Sequence, residues 1–484
     1  MRNLIPFTAI FLSALLLISG CRRKEPVSPP SAGSREPTPP SASTTEPTQG
    51  MTGSAAIVRK AIAYRLHKKP DELTTEDYEK TTELYLTGTE VSDLTPIKEL
   101  KGLRKLWLYG AAVSDITPLK ELNKLQELGL AGTKVSDLTP IKELKNLYLL
   151  ELSDTRVSDL TPLKELDKLQ SLSLTATKVY DLTPLKGLKG LQRLVLINTW
   201  VSELTPIKEL NKLQELLLSD TKVSDLTPIK ELIGLQRLVL VNTAVSDITP
   251  LKELNKLQIL DLGGTQVSDL TPLKELKGLQ SLDLSCTKVS DLAPIRALNN
   301  LQELFLSATK VSDITPIKEL TGLKRLYLGG TKVSDLTPIK ELTGLKQLYL
   351  IDTPVSDLTP LKALINLQEI RVSGTQVSDL TPIKELTDLQ CLVLVNTQVS
   401  DLTPLKELNK LQDLWLYETR VSDLTPIKAL IGLQTLRLDA TDISDLSPIK
   451  ELTGLQLLFL NRTKVSDEQL AELKKALPKL TIIR

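Results

Sequence analysis

The sequence predicts an elongated α/β solenoid made of stacked repeats, and three observations predict it. A valine recurs every 22 residues from Val91 to Val465, with Ile443 as the only substitution, which gives eighteen consecutive units. Leucines alternate with variable residues in one part of each unit, as in a short strand with one buried face. A Thr-Pro pair follows in most units and indicates a helical turn. A fixed period of this length is typical of a solenoid.

The unit over 125–146, LQELGLAGTKVSDLTPIKELKN, serves as the reference. The segment from Leu128 to Leu130 is predicted to be a strand with both leucines facing inward. Thr139 is predicted to be the N-cap of a helical turn, with Pro140 at its first position. Only about five residues remain before the next loop, so a 3₁₀ or single helical turn is expected rather than a full helix.

Written as LxxLxLxxTxVSDLTPLKELxx, the unit resembles the leucine-rich repeat, in particular the 22-residue type of bacterial internalins and related surface proteins. The resemblance covers Thr82 to the C-terminus. It implies a curved parallel β-sheet on the concave face, with short 3₁₀ or helical turns on the convex face. Thr133 stands where many leucine-rich repeats carry asparagine, so hydroxyl groups are expected to make the bonds to the loop backbone.

Residues 1–20 are predicted to be a signal peptide, because Arg2 precedes a long apolar run. The next part of the pattern, ISGC at 18–21, resembles the lipobox of bacterial lipoproteins, which implies cleavage before Cys21 and a diacylglyceryl group on its sulfur. The alternative is a plain signal peptide with a chance cysteine. Arg22 is not the aspartate associated with inner-membrane retention in Gram-negative lipoproteins. The resemblance therefore favours the outer membrane and leaves open which side the protein faces.

The rest of the chain divides into four predicted parts. Residues 21–53 hold the lipidated cysteine and a disordered tether rich in Pro, Ser and Thr. Residues 54–81 form a helical N-terminal cap, with one helix stopped by Pro70 and a second over Thr75–Lys80. Residues 82–465 are the eighteen repeats.

Residues 466–484 are predicted to be the C-terminal cap. Ser466 and Gln469 have the spacing of a capping box, which would open a helix that runs to about Ala476. A final strand is predicted over Leu480–Ile483. Both caps are needed because the end units would otherwise expose their apolar layers.

Several functions are excluded by composition. The net charge of +1, from 60 basic and 59 acidic residues, gives no electrostatic footprint for nucleic acid. His67 is the only histidine, so neither a metal site nor a histidine-based catalytic site is expected. Cys286 and Cys391 lie five units apart, more than about 20 Å in a parallel sheet, which is too far for a disulfide. We expect no enzymatic activity, no cofactor and a monomer.

The variable residues beside the strand leucines are the predicted protein-binding surface. In leucine-rich repeats these positions line the concave sheet, and nine of the fourteen aromatic residues beyond the signal peptide occupy them. Aromatic residues with arginine are typical of binding hot spots, although strands in general also favour such residues. The predicted binding residues are Tyr85, Trp107, Tyr109, Val195, Leu217, Val239, Phe305, Tyr327, Tyr349, Ile351, Arg371, Trp415, Tyr417 and Phe459.

Together these patterns predict a lipid-anchored scaffold of the cell envelope whose concave face binds a protein. The resemblance to internalin-type modules implies adhesion or host interaction. The alternative is a periplasmic structural or envelope-organising protein that binds a glycan or another envelope component.

The anchor can be tested at Cys21. The change Cys21→Ser should abolish incorporation of labelled fatty acid and move the protein out of the membrane fraction, because no other residue matches the lipobox cysteine. Unchanged labelling of the variant would show that the lipid is not attached there.

Overall fold

The computed structural model describes residues 53–484. The predicted signal peptide and the lipid-attachment residue Cys21 lie outside the described residues, as does all but the last residue of the predicted tether. None of the helices within residues 53–484 is long and apolar enough to cross a membrane.

Within residues 53–484 the regular structure consists of three α-helices and nineteen short strands, and a 3₁₀ turn follows nearly every strand. The helices are α1 (Ser54–Leu66), α2 (Thr75–Lys80) and α3 (Asp467–Ala476). The strands β1 to β19 are, in order, Glu83–Tyr85, Lys105–Trp107, Glu127–Gly129, Leu149–Glu151, Ser171–Ser173, Arg193–Val195, Glu215–Leu217, Arg237–Val239, Ile259–Asp261, Ser281–Asp283, Glu303–Phe305, Arg325–Tyr327, Gln347–Tyr349, Glu369–Arg371, Cys391–Val393, Asp413–Trp415, Thr435–Arg437, Leu457–Phe459 and Thr481–Ile483.

The strands form one parallel sheet in which each pairs with the next along the chain, so the predicted parallel-sheet solenoid is confirmed. Register advances by one repeat from strand to strand, and Leu128 lies beside Leu150. The strand in the reference unit begins one residue earlier than predicted, at Glu127, because the N–H of Glu127 already bonds to the carbonyl of Arg104 at 2.9 Å. The two strand leucines face inward as predicted and are fully buried.

The turn after each strand is a 3₁₀ turn as predicted, but its cap is a different residue. In the reference unit the turn spans Thr139–Ile141, and Thr139 lies inside it. The N–H of Thr139 donates to Oδ1 of Asp137 at 2.8 Å, so the aspartate caps the turn. The corresponding acid does the same in all seventeen units that contain the turn. The prediction of a threonine cap was therefore wrong. Thr139 is the first residue of the turn, and its N–H donates to the Asp137 carboxylate.

The threonine column bonds within its own unit. Oγ1 of Thr133 donates to the carbonyl of Leu130 at 2.6 Å, and the same bond forms in each of the seventeen units that have the threonine. The hydroxyl thereby satisfies a carbonyl beside the buried layer, where an unpaired acceptor would be costly. An asparagine side chain at this position could bond to a neighbouring loop, whereas the threonine hydroxyl bonds within its own loop.

Every unit has one residue with a left-handed backbone, immediately before this threonine. Six of these eighteen residues are glycine, and the other twelve are larger, including Ala176 and Ala308 with φ of 56°. Such residues pay a conformational cost that glycine does not. The fold tolerates the cost because the N–H of the left-handed residue bonds to the next unit, as Ala308 does to the carbonyl of Gly329 at 2.7 Å.

The inward residues of all units form one continuous apolar core that the caps close at both ends. Val58 and Ile62 of α1 pack on the first layer, and Leu473 of α3 packs on the last. The predicted capping box at Ser466 is only half formed: Ser466 Oγ accepts from the N–H of Gln469 at 3.3 Å. The Gln469 carbonyl oxygen instead accepts from Leu446 in the preceding unit at 2.9 Å, which ties the cap to the solenoid.

The continuity of the core can be tested at Leu262, which is fully buried in a central unit. The change Leu262→Asp should cost roughly 3–5 kcal/mol, because it buries a carboxylate without a partner. Neighbouring units depend on that layer, so thermal unfolding of residues 53–484 should split into two transitions. The exposed change Gln266→Asp in the same unit is the control. One cooperative transition at the parent temperature in the Leu262 variant would contradict the layer arrangement.

Candidate functional site on the concave sheet

Two columns of side chains run across the concave face of the sheet. The central column holds the residue between the two strand leucines of each unit, and the side column holds the residue two positions later. All fourteen predicted binding residues lie in these two columns, on one face of one sheet. They are divided along the sheet into separate clusters.

An aromatic stack occupies the middle of the central column. The ring centroids of Phe305 and Tyr327 are 4.5 Å apart with planes 22° from parallel, and those of Tyr327 and Tyr349 are 4.1 Å apart with planes 11° from parallel. The guanidinium carbon of Arg371 lies 5.2 Å from the centroid of the Tyr349 ring and continues the stack. The sequence predicted adjacent, fully exposed rings. In the structure each ring covers the next and all are half-buried, which raises the pKa of both tyrosines.

The cation at the end of this stack is neutralised by its own strand. Arg371 Nε donates to Glu369 Oε1 at 2.7 Å, and the same carboxylate accepts from Gln347 Nε2 at 3.0 Å. The stack therefore ends in the ion pair of Arg371 with Glu369, whose carboxylate is also held by Gln347. Ile351, in the side column, is half-buried next to it.

A second cluster is apolar and more buried than predicted. Val195, Leu217 and Val239 expose only 4%, 9% and 8% of their surface, because they pack on one another and on Ile197 and Val241 of the side column. The sequence predicted an exposed patch at these three positions. Because neighbouring strands are close together, these side chains instead pack against one another and form a small apolar cluster on the outer side of the sheet.

Two carboxylates separate the apolar cluster from the aromatic stack. Asp261 and Asp283 occupy adjacent positions of the central column, and each Oδ1 accepts a backbone N–H two residues later, from Gly263 at 3.0 Å and from Ser285 at 2.8 Å. Burial, and then the neighbouring charge of Asp283, raise the pKa of Asp261 to about 7. Burial also raises the pKa of Asp283. The pair binds protons at a pH where ordinary aspartates have lost theirs.

A third cluster surrounds an arginine near the C-terminal end. The guanidinium carbon of Arg437 lies 5.0 Å from the Trp415 ring centroid, 4.9 Å from that of Tyr417 and 4.4 Å from that of Phe459. The indole N–H of Trp415 is buried and lacks a hydrogen-bond partner among residues 53–484. This cluster thus combines an enclosed cation with a polar group left unsatisfied.

The N-terminal end carries a smaller aromatic cluster. Trp107 and Tyr109 meet edge to face, with centroids 5.1 Å apart. Both rings lean over Gly129 on the next strand, where any Cβ atom would collide with them. Tyr85 is half-exposed, and the guanidinium carbon of Arg65 in α1 lies 5.7 Å from its ring centroid.

The remaining feature of the described residues is the set of side chains that could bind a metal or react. Within residues 53–484 no group of three or more His, Cys, Asp or Glu side chains is placed to hold a metal ion. Cys286 and Cys391 form no disulfide in this part of the chain, and burial raises the pKa of Cys391 to about 12, which makes its thiol a poor nucleophile.

Three features of this face were not identified from the sequence. Glu369, Arg437 and the Asp261–Asp283 pair were left out of the predicted binding residues, although the central column contains all of them except Glu369. A signal was present for the acid pair, because the central column has two acids in adjacent units only at Asp261 and Asp283. For Glu369 the signal was strand alternation, which places residues 369 and 371 on the same face of the sheet on either side of the inward Ile370.

Comparison with known proteins places this geometry among leucine-rich repeats. The family described as "Leucine Rich repeats (2 copies)" matches residues 233–275 and 277–319. A search of curated protein sequences gives no significant match.

Solved structures give broader matches. A leucine-rich-repeat protein of Leptospira interrogans superposes with a TM-score of 0.70 at 26% identity, over 77% of this chain and 99% of that one. The internalin InlF of Listeria monocytogenes gives 0.58 at 28% identity, over 71% and 97%. The functional domain of InlJ from the same organism gives 0.60 at 19% identity, over 75% and 79%, and supports the fold alone. The chain is thus a leucine-rich-repeat solenoid similar to internalins, with a fold that serves in general as a protein-interaction scaffold.

The acid pair predicts a dependence of stability on pH. The pKa of Asp261 is higher in the folded chain than in the unfolded chain, so the folded state binds more protons between about pH 4 and 7 and stability falls as pH rises through this range. Asp261→Asn should therefore raise the free energy of unfolding at pH 8 by about 1–3 kcal/mol, and by less at pH 5. Thermal unfolding at both pH values measures this, with the exposed change Asp167→Asn as the control. An equal effect at the two pH values would contradict the assignment.

Proposed function

We propose that this protein is a lipid-anchored scaffold of the bacterial cell envelope that binds a protein ligand on its concave face. The observation that carries the proposal is the stack of Phe305, Tyr327, Tyr349 and Arg371 across four consecutive strands. Large aromatic residues beside an arginine are the side chains that most often dominate protein interfaces.

The stack suits binding because it is already ordered. Each ring is held by its neighbours and by a three-residue strand whose backbone bonds to both adjacent strands. A ligand that covers the free edges of these rings has little side-chain entropy to remove, and such preorganisation favours affinity. The ion pair of Arg371 with Glu369 lies at one end of the stack, where it offers polar contacts at the rim.

Other clusters extend the same surface. The Arg437 cluster provides three more rings and the unsatisfied Trp415 N–H, which an acceptor on the ligand would satisfy. Trp107 and Tyr109 provide a further pair towards the N-terminal cap. A ligand that extended along the sheet would contact several clusters. The proposed binding surface therefore consists of the fourteen residues predicted from the sequence.

The envelope location rests on the N-terminal sequence. Adhesion as the role rests on the likeness to the internalin InlF. A lipid on Cys21 would hold the solenoid at a membrane through the segment rich in proline and serine. Protease treatment of intact cells distinguishes a surface adhesin, which is digested, from a periplasmic protein that organises the envelope, which is protected.

Site-specific photo-crosslinking tests the binding face and captures the ligand in the same experiment. With p-benzoylphenylalanine in place of Tyr327, illumination of cells of the source bacterium and of any host cells it contacts should give a covalent adduct with a defined protein. The same analogue in place of Lys340, on the convex face, is the matched control. The absence of any adduct from Tyr327, or the same adducts from both positions, would contradict a concave-face ligand.

The contribution of the rings can then be measured on the captured ligand. The triple change Phe305→Leu, Tyr327→Leu, Tyr349→Leu keeps apolar bulk, so the fold should survive with a loss of about 1–3 kcal/mol from the broken stacking. Binding should weaken at least about a hundredfold, because hot-spot residues are worth about 2 kcal/mol or more each.

The control for that measurement changes Lys318, Lys340 and Lys362 to Ala on the convex face. It should leave both the melting temperature and the affinity close to the parent values. Equal affinity of the aromatic variant and this control would show that the rings serve the sheet alone.

A further inference from the structure

A flank of the solenoid, separate from the concave sheet, is formed around the recurring valine. The residues one before, one after and two after this valine are exposed, so they form three parallel columns along the flank. We name them the basic column (Lys134 in the reference unit), the serine column (Ser136) and the acid column (Asp137). The valine between the first two is buried, and the N–H of Lys134 bonds to the carbonyl of Val113 at 2.8 Å, which fixes the spacing between units.

Two of the columns are nearly invariant, and their departures from the pattern fall at one place. The serine column has serine in seventeen of eighteen units, and the exception is Tyr180. The acid column has aspartate in seventeen of eighteen, and the exception is Glu203. Trp200 is the only aromatic residue in the basic column. All three residues belong to two adjacent units, on the same flank.

The two aromatic side chains of this place are among the most exposed large side chains of the described residues. Tyr180 exposes 65% of its surface and Trp200 exposes 56%. They are neighbours, because the N–H of Trp200 bonds to the carbonyl of Val179 at 2.9 Å. The Nζ atom of Lys222 lies 5.9 Å from the Trp200 ring centroid, which leaves most of the ring open. Exposed aromatic side chains that lie side by side mark interaction surfaces.

The charges around the two rings are self-complementary. Lys134, Arg156, Lys178 and Lys222 are the basic-column residues near Trp200, and all are exposed. The acid-column residues beside them are ionised at neutral pH, since hydrogen bonds from Thr183 lower the pKa of Asp181 and hydrogen bonds from Thr227 lower the pKa of Asp225. A two-fold axis that runs parallel to the solenoid, through the serine column, places the basic column of one copy against the acid column of the other. A two-fold axis across the solenoid would oppose like charges instead.

We propose that a second copy of this chain docks on this flank, as a symmetric dimer in which the two copies of Tyr180 meet at the two-fold axis and Trp200 of each copy faces the acid column of the other at Glu203. A closed two-fold contact uses the same patch on both partners, and here that patch carries both members of each opposed charge pair. The rings set the place of contact along the flank, because acid-column residues recur in every unit and the rings do not. We expect a monomer from the sequence alone, and that expectation does not consider Tyr180 and Trp200.

The test is the oligomeric state of residues 53–484, which contain the whole continuous core and both caps. Sedimentation velocity from about 1 to about 200 μM should show a concentration-dependent dimer, because a contact centred on two units is small and small contacts give weak association. The double change Tyr180→Ser, Trp200→Gln introduces uncharged residues that occur elsewhere in the two columns, so the fold should be unaffected. It should weaken dimerisation at least about a hundredfold, since it removes four rings from the contact.

Two further variants separate the flank from exposed aromatic surface in general. Tyr64→Ser removes a side chain that is 80% exposed on α1 and should leave dimerisation unchanged. The triple change Arg156→Glu, Lys178→Glu, Lys222→Glu keeps both rings and should abolish the dimer, because acids would then face acids across the axis. A parent protein that stays monomeric at every concentration would overturn the proposal. A dimer that persists in the double or the triple variant would overturn it as well.

Discussion

The stacking of each leucine layer on the next is the constraint on which the rest of this structure depends. A unit of 22 residues cannot bury its own leucines, and its three-residue strand finds hydrogen-bond partners only in the adjacent units. Burial and backbone bonding are therefore both shared between units. Any inward residue must fit the layer above and the layer below, which explains why those columns are almost the same in every unit.

The polar columns follow from the same constraint. Each loop must satisfy its backbone groups without help from a distant part of the chain, so it carries its own hydrogen-bonding side chains. Thr133 closes the loop after the strand, and Asp137 caps the 3₁₀ turn. With the interior and the loops settled in this way, only the outward residues are free to differ, and both proposed surfaces lie among them.

The spacing between strands determines how side chains on the concave face contact one another. Neighbouring parallel strands are about 4.8 Å apart, close to the distance at which aromatic rings stack, so Phe305, Tyr327 and Tyr349 order one another. The same spacing forces Asp261 and Asp283 together, where burial and mutual repulsion favour their protonated forms. One geometric repeat thus makes a rigid apolar platform in one region and an acid pair with raised pKa in the next.

The sequence by itself determined the solenoid, its parallel sheet, its 3₁₀ turns and the helical segments at both ends, because these depend on local patterns that the chain repeats. It also placed the predicted binding residues in two columns of one face. Only the tertiary structure decided how those residues meet: that Val195, Leu217 and Val239 are buried, that the rings are stacked, and that Glu369 pairs with Arg371. It decided too that Asp137 rather than Thr139 caps the turn. The physical reason is that burial, stacking and ion pairing depend on distances between side chains. Between units those distances follow from the separation of neighbouring strands, and within a unit they follow from the backbone of its strand and turn. The identity of a single residue reveals neither.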